Sequence, residues 1–227
     1  MNLKVIAFDA DDTLWVNEPY FRATEEQFFK LLGEYASQRD LERELLKSEI
    51  DNLPLYGYGI KGFVLSMMET ALKITGNRVS PLVIDRIIAL GKEMLNMPIE
   101  LLDGVEEVLE ALKGKYRLVV ATKGDLLDQE RKLRKSGIAH YFHHIEIMSE
   151  KDDANYTKLI RHLDVQSHEL MMIGNSLKSD ILPVLSVGAY GVHVPYHITW
   201  AHEHIEQAIE DDKFRSVEQI RDVLQFL

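Results

Sequence analysis

Short apolar runs recur along the chain, each ending on a polar, small or turn-forming residue. Leu3 to Phe8 stops at Asp9, Arg117 to Ala121 at Thr122, Ile145 to Met148 at Ser149, Leu170 to Ile173 at Gly174, and Gly191 to Val194 at Pro195. Runs of this length with these flanks predict buried strands. Between them lie segments with helical spacing: Gly124 to Ser136 closed by Gly137, Ala154 to Leu163, and Lys178 to Val187 closed by Gly188. A glycine just past the last periodic residue is a helix C-cap signal. Strand and helix therefore alternate, and the pattern predicts an α/β fold built on a parallel sheet.

One stretch departs from the alternation. From about Glu18 to Glu100 no strand pattern occurs, whereas Phe21 to Tyr35, Leu41 to Asn52, Phe63 to Ile74 and Pro81 to Met97 all have helical spacing. Ser80-Pro81 opens the last of these with a capping serine and a proline at the first helical position. The stretch predicts a helical domain, residues 17–98, inserted into a sheet domain made of residues 1–16 and 99–227. Pro98 and Asp103-Gly104 mark the return, where Val105 to Lys113 forms the next helix, and Val217 to Leu227 is predicted as a final helix. Between two helices of the insert, Tyr56-Gly57-Tyr58-Gly59-Ile60-Lys61-Gly62-Phe63 predicts a bending loop. It is either an ordinary connection or a specificity loop presenting Tyr56, Tyr58 and Lys61.

Composition narrows the chemistry. The 227 residues carry 26 basic and 37 acidic side chains, a net charge of −11, and no cysteine. Thiolate metal sites and cysteine nucleophiles are thereby excluded, and binding to a nucleic-acid polymer is disfavoured, since that depends on basic side chains displacing counterions. The start, Val5-Ile6-Ala7-Phe8 running into Asp9, Asp11 and Asp12, is too short for a signal peptide, and no apolar run reaches the length of a spanning helix. A cytoplasmic protein with no membrane partner is expected. Nine histidines include the groups His140, His143, His144 and His197, His202, His204, but neither contains HExxH, and structural or surface roles are expected.

The strand ends carry the chemistry. Asp9-Ala10-Asp11-Asp12-Thr13 follows the first run, where ligands gather in open α/β sheets. Two carboxylates spaced two apart can converge, one to attack and one to carry a proton, with a hard divalent cation offsetting their repulsion. Thr122 adds a hydroxyl ahead of a helix start at Gly124-Asp125, Lys151 a positive charge, and Gly174-Asn175-Ser176 with Asp180 further oxygens. Lys123 either faces the substrate or is a solvated lysine at a helix start.

These motifs, in this order, resemble the haloacid dehalogenase superfamily, and specifically its phosphatase branch. Asp9 to Thr13 matches the family's DxDxT, Thr122 its second motif, Lys151 its lysine, and Gly174 to Ser176 with Asp180 its closing acidic motif. Lys151-Asp152-Asp153-Ala154-Asn155-Tyr156 suits the lysine motif better than Lys158, although the family's two prolines are absent. The resemblance implies a Rossmann-like parallel sheet core with helices on both faces and an inserted α-helical cap closing over the site. It implies Asp9 as the nucleophile that becomes an aspartyl-phosphate, and Asp11 as the group that protonates the leaving alcohol and then activates water. Thr122 and Lys151 would hold phosphoryl oxygens. Mg²⁺ would be held by the Asp9 carboxylate, the Asp11 carbonyl and Asp180, with Asn175 standing where aspartate is frequent. The expected substrate is a small phosphorylated metabolite. A phosphomutase of the same superfamily and a noncatalytic regulator that retains the fold are the alternatives. Dehalogenation is disfavoured, because a departing halide needs no acid at the position of Asp11.

Overall fold

The structure, a computed structural model, describes residues 1–205 and 208–227. The chain divides into two compact units, one of residues 1–18, 99–123 and 129–227, the other of residues 19–98 and 124–128.

The first unit is built on six parallel strands. They are β1 (Val5–Phe8), β2 (Arg117–Lys123), β3 (His144–Met148), β4 (Leu170–Gly174), β5 (Tyr190–His193) and β6 (Phe214–Ser216), in the spatial order β3-β2-β1-β4-β5-β6. This is the order of the Rossmann-like doubly wound sheet, with its direction of winding reversing at β1. The central strands read as unbroken apolar runs because both faces are covered and successive side chains alternate between them. Ile6, Phe8, Leu118, Val120, Met171 and Ile173 enter one core with Val105, Val108, Leu109 and Leu112 of α5 (Val105–Leu112). Val5, Ala7, Val119, Ala121, Leu170 and Met172 enter the other, against Tyr156, Leu159 and Ile160 of α7 (Asp153–His162). Burying one such aliphatic side chain contributes about 1.5–3 kcal/mol.

The second unit is helical. Its helices are α1 (Glu18–Leu32), α2 (Gln38–Tyr56), α3 (Ile60–Ile74) and α4 (Pro81–Asn96), packed around Phe28, Leu32, Leu41, Leu45, Phe63, Met67 and Ile87. Ser80 caps α4 by accepting the Leu82 N–H, with Pro81 in the first turn, as the sequence pattern predicts. α1 begins within the first unit, at Glu18, and α6 (Leu126–Lys135) crosses the division in the same way.

Three local expectations are corrected. Tyr56 ends α2 and Ile60 opens α3, so only Gly57 to Gly59 form the loop and Lys61 stands on a helix. Gly62 is likewise helical, and a methyl there would meet the Gly57 carbonyl oxygen at 2.9 Å, so close packing explains it better than bending. The segment Lys178 to Val187 is a π-helical turn, Leu177–Ile181, followed by the short α8 (Leu182–Ser186). The final segment holds a 3₁₀ helix, Ile220–Gln225, preceded by β6, which the pattern did not show.

Candidate active site

The chain leaves β1 directly into Asp9, 7% exposed. The Asp9 N–H donates to the Ile173 carbonyl at 2.9 Å, tying the end of β1 to β4. Lys151 follows β3, and its ammonium is buried between Asp9 Oδ1 and Asp180 Oδ1, the latter at 2.6 Å. Asp180 stands on the π-helical turn after β4, a kind of turn that recurs at functional sites. Its second oxygen accepts the Ser176 N–H at 2.9 Å. Gly174 makes room for it, since a methyl there would lie 2.2 Å from Asp180 Oδ2. Thr13 Oγ1 lies 3.3 Å from Asp9 Oδ2 and 3.2 Å from Asn175 Oδ1, which sets the Asn175 amide oxygen beside the Asp9 carboxylate.

Burial pushes the Asp9 carboxyl up to about 7, with Asp180 adding to the rise and Lys151 opposing it. Burial also works against the charge on Lys151, but Asp180 and Asp9 more than offset it and hold the ammonium protonated. Two carboxylates thus share one buried cation, and the pocket has capacity for further positive charge.

Asp11 has a separate set of partners. Trp15 Nε1 donates to it at 2.7 Å, Gln129 Nε2 at 2.9 Å and Lys132 Nζ at 2.9 Å. Burial would raise its carboxyl, but Lys132 and these donors hold it below the ordinary value. Neighbouring Asp12 turns away, at φ 62°, and accepts the N–H groups of Asn17 and Glu18. The Gln129 nitrogen also reaches Thr122 Oγ1 at 3.0 Å, so a single amide joins the second motif to Asp11. Gln129 Oε1 is buried without a partner.

Asp9, Lys151, Asp180, Asn175 and Thr13 therefore meet at one place, while Thr122 and Asp11 are linked through Gln129. Lys158 pairs instead with Asn155 Oδ1 at 3.2 Å. Tyr56, Tyr58 and Lys61 belong to the helical unit, where Tyr56 is exposed and Lys61 pairs with Asp125 at 2.9 Å. The start of α6 is partly capped, because Asp125 Oδ1 accepts the Asp128 N–H at 3.1 Å. Lys123 is not a solvated lysine: its side chain is 13% exposed and its ammonium lies 2.7 Å from Glu203. Lys132, Gln129 and Glu203 escaped the sequence reading, because each is remote in the chain from the groups it holds.

Whether the site suits a divalent cation turns on its donors. Among the described residues no three or more His, Asp or Glu gather into a metal cluster. Mg²⁺ does not require one, since it is commonly held by one or two carboxylates together with substrate phosphate and water. Asp9, Asp180 and the Asn175 amide form a hard oxygen set of that kind, and the space beside Gly174 is shaped to Asp180, so the residues fit the ion.

Comparison with known proteins agrees with this architecture. Residues 3–188 match the haloacid dehalogenase-like hydrolases, and the chain belongs to that family. A haloacid dehalogenase-like family hydrolase from Xanthomonas campestris is 38% identical, with a TM-score of 0.87 over 96% of this chain and 87% of that one. A glyceraldehyde 3-phosphate phosphatase from Methanothermobacter thermautotrophicus is 27% identical over 121 residues, 50% of this chain and 54% of the relative, so the match spans about half of that protein. A 2-haloacid dehalogenase from Pseudomonas syringae shares the fold at 16% identity, TM-score 0.62, over 98% and 97% of the two chains. The same fold thus serves different bonds, and the choice of chemistry rests on side chains. Among the described residues no helix is long and apolar enough to cross a membrane.

Proposed function

We propose that this hydrolase is a Mg²⁺-dependent phosphatase that cleaves a small phosphorylated metabolite through an aspartyl-phosphate on Asp9. The observation that carries the reading is the pair of carboxylates in unlike settings: Asp9 against a buried ammonium, Asp11 two residues on and held by three donors of its own. We assign attack to Asp9 and proton transfer to Asp11 on their positions and partners, not on their electrostatics, which without cation or substrate raise Asp9 and lower Asp11.

In the first step an Asp9 oxygen forms a bond to phosphorus as the bond to the leaving oxygen breaks, and Asp11 supplies a proton to that oxygen. In the second, Asp11 takes a proton from water, the water oxygen bonds to phosphorus, and the Asp9 carboxylate is released with inorganic phosphate. Lys151 holds phosphoryl oxygens and prevents the repulsion of one anion attacking another. Thr122, oriented by Gln129, adds a hydroxyl donor. Asp9, the Asp11 carbonyl and Asp180, with Asn175 beside them, would hold Mg²⁺, which would supply positive charge to the phosphoryl group. Residues 17–98 act as the cap, and substrate choice is assigned to its Tyr56, Tyr58 and Lys61.

A panel of phosphorylated metabolites, assayed with Mg²⁺ for inorganic phosphate, tests the reading. One phosphate released per ester consumed is expected, with the panel profile altered by Tyr58→Ala. A phosphoester that is isomerised without release would establish a mutase, and an unchanged profile in Tyr58→Ala would remove that tyrosine from the specificity set.

A further inference from the structure

The carboxylate of Glu203, its side chain 13% exposed, lies outside the proposed catalytic machinery. It stands on the 3₁₀ turn Ala201–Glu203, beyond β5, yet its partners lie at the carboxyl ends of β2 and β4. Oε1 accepts from Lys123 Nζ at 2.7 Å. Oε2 accepts from Ser176 Oγ at 2.5 Å and from Ser179 Oγ at 2.6 Å. Lys123 Nζ also donates to Ser179 Oγ at 2.9 Å, closing the ring of contacts. The carboxyl falls to about 2: burial would raise it, but Lys123 and the two hydroxyls more than offset that.

From this hub one arm reaches Asp180. Ser176 gives its hydroxyl to Glu203 and its N–H to Asp180 Oδ2, and its Oγ accepts the Ser179 N–H at 3.0 Å. A weaker arm reaches Lys151, because Lys123 lies 3.4 Å from Glu150 Oε1, which accepts the Lys151 N–H at 3.0 Å. A second contact fastens the turn, with Lys178 Nζ donating to the His202 carbonyl at 2.7 Å.

We infer that Glu203 is a positioning residue: by clamping Ser176, Ser179 and Lys123 it fixes the π-helical turn that presents Asp180 to the cation. The inference rests on the reading of Asp180 as a Mg²⁺ ligand and deepens it. Groups that orient a metal ligand act mainly on metal affinity, and Glu203 touches neither Asp9 nor Asp11 in any contact described above. Loss of the clamp therefore weakens the hold on Mg²⁺ more than it changes the encounter with substrate.

The test uses the full chain with Glu203→Gln, which keeps an acceptor for the serines but loses the charge facing Lys123, and Glu203→Ala, which loses both. Mg²⁺ binding is measured by calorimetry without substrate, and aryl phosphate hydrolysis is followed across a Mg²⁺ series. The expected result is a Mg²⁺ Kd raised by about 10- to 100-fold in Glu203→Ala and by less in Glu203→Gln. Saturating Mg²⁺ then recovers most of kcat while KM for the ester stays near that of the parent. Should Glu203→Ala fail to fold, Ser176→Ala removes one hydroxyl of the same clamp and is expected to weaken Mg²⁺ binding in the same sense. Variants that bind Mg²⁺ as tightly as the parent overturn the inference, even with a lowered Tm, as does a parent that binds no Mg²⁺. If the variants lose Mg²⁺ affinity but the parent hydrolyses no phosphoester, the clamp stands and the proposed phosphatase reaction falls.

Discussion

The single charge of Lys151 serves two buried carboxylates, and removing it leaves Asp9 and Asp180 facing each other without a cation. Breaking a buried ion pair from one side costs about 3–5 kcal/mol, so urea unfolding of Lys151→Met without Mg²⁺ is expected to show a loss in that range. Mg²⁺ should restore part of it, and a loss indifferent to Mg²⁺ would contradict a shared cation site. Gly174→Ala probes the same place by shape. Its methyl would fall 2.2 Å from Asp180 Oδ2, against a backbone-anchored turn. The expected outcome is a Mg²⁺ affinity lowered by about tenfold or more, read by calorimetry, and parent-like affinity would show that Asp180 does not need its present position. The anionic residues of this site were legible because they stand in one short motif or at strand ends. Lys132 and Gln129 were not, since they reach Asp11 across 121 and 118 positions and nothing local marks them.

At the level of elements, the runs of β1, β2 and β4 were readable because both faces of each strand are buried, leaving apolar residues at nearly every position. β6 was not, because two of its three residues are exposed and it lies at the sheet edge. The π-helical turn escaped for another reason: widening the hydrogen-bond spacing over five residues leaves no periodic trace. α5 shows the legible case quantitatively, with Leu109 fully buried in the core beneath the sheet. Leu109→Ala is expected to cost about 2–5 kcal/mol in urea unfolding, and a loss below about 1 kcal/mol would deny that core its role. The Ala201–Glu203 turn carries a pH dependence of definite sign. Because the folded carboxyl of Glu203 lies at about 2 and its ordinary value is 4.5, its contribution is complete above 4.5 and fades as pH falls toward 2. The stability gap between the parent and Glu203→Gln should therefore narrow between pH 5 and pH 3, and a constant gap would contradict the ionised clamp.

For the whole molecule, a net charge of −11 repels anionic ligands in general. The site offsets that repulsion locally, because Lys151 and Lys132 lie buried or nearly so against the carboxylates of the first motif, beside the oxygens proposed to hold a cation. Family and a Rossmann-like parallel sheet were both readable from the chain, since four motifs follow four apolar runs, whereas the strand order comes from the structure. The identity of the substrate was not readable, because its selection is proposed to rest on residues of the helical unit, whose sequence follows packing more than chemistry. The claim on which the account depends is that Asp9 is the nucleophile. Hydrolysis of an aryl phosphate with Mg²⁺, compared between the parent and Asp9→Asn, tests it most directly: the account predicts a fall in kcat on the order of a thousandfold or more, and equal rates would contradict it.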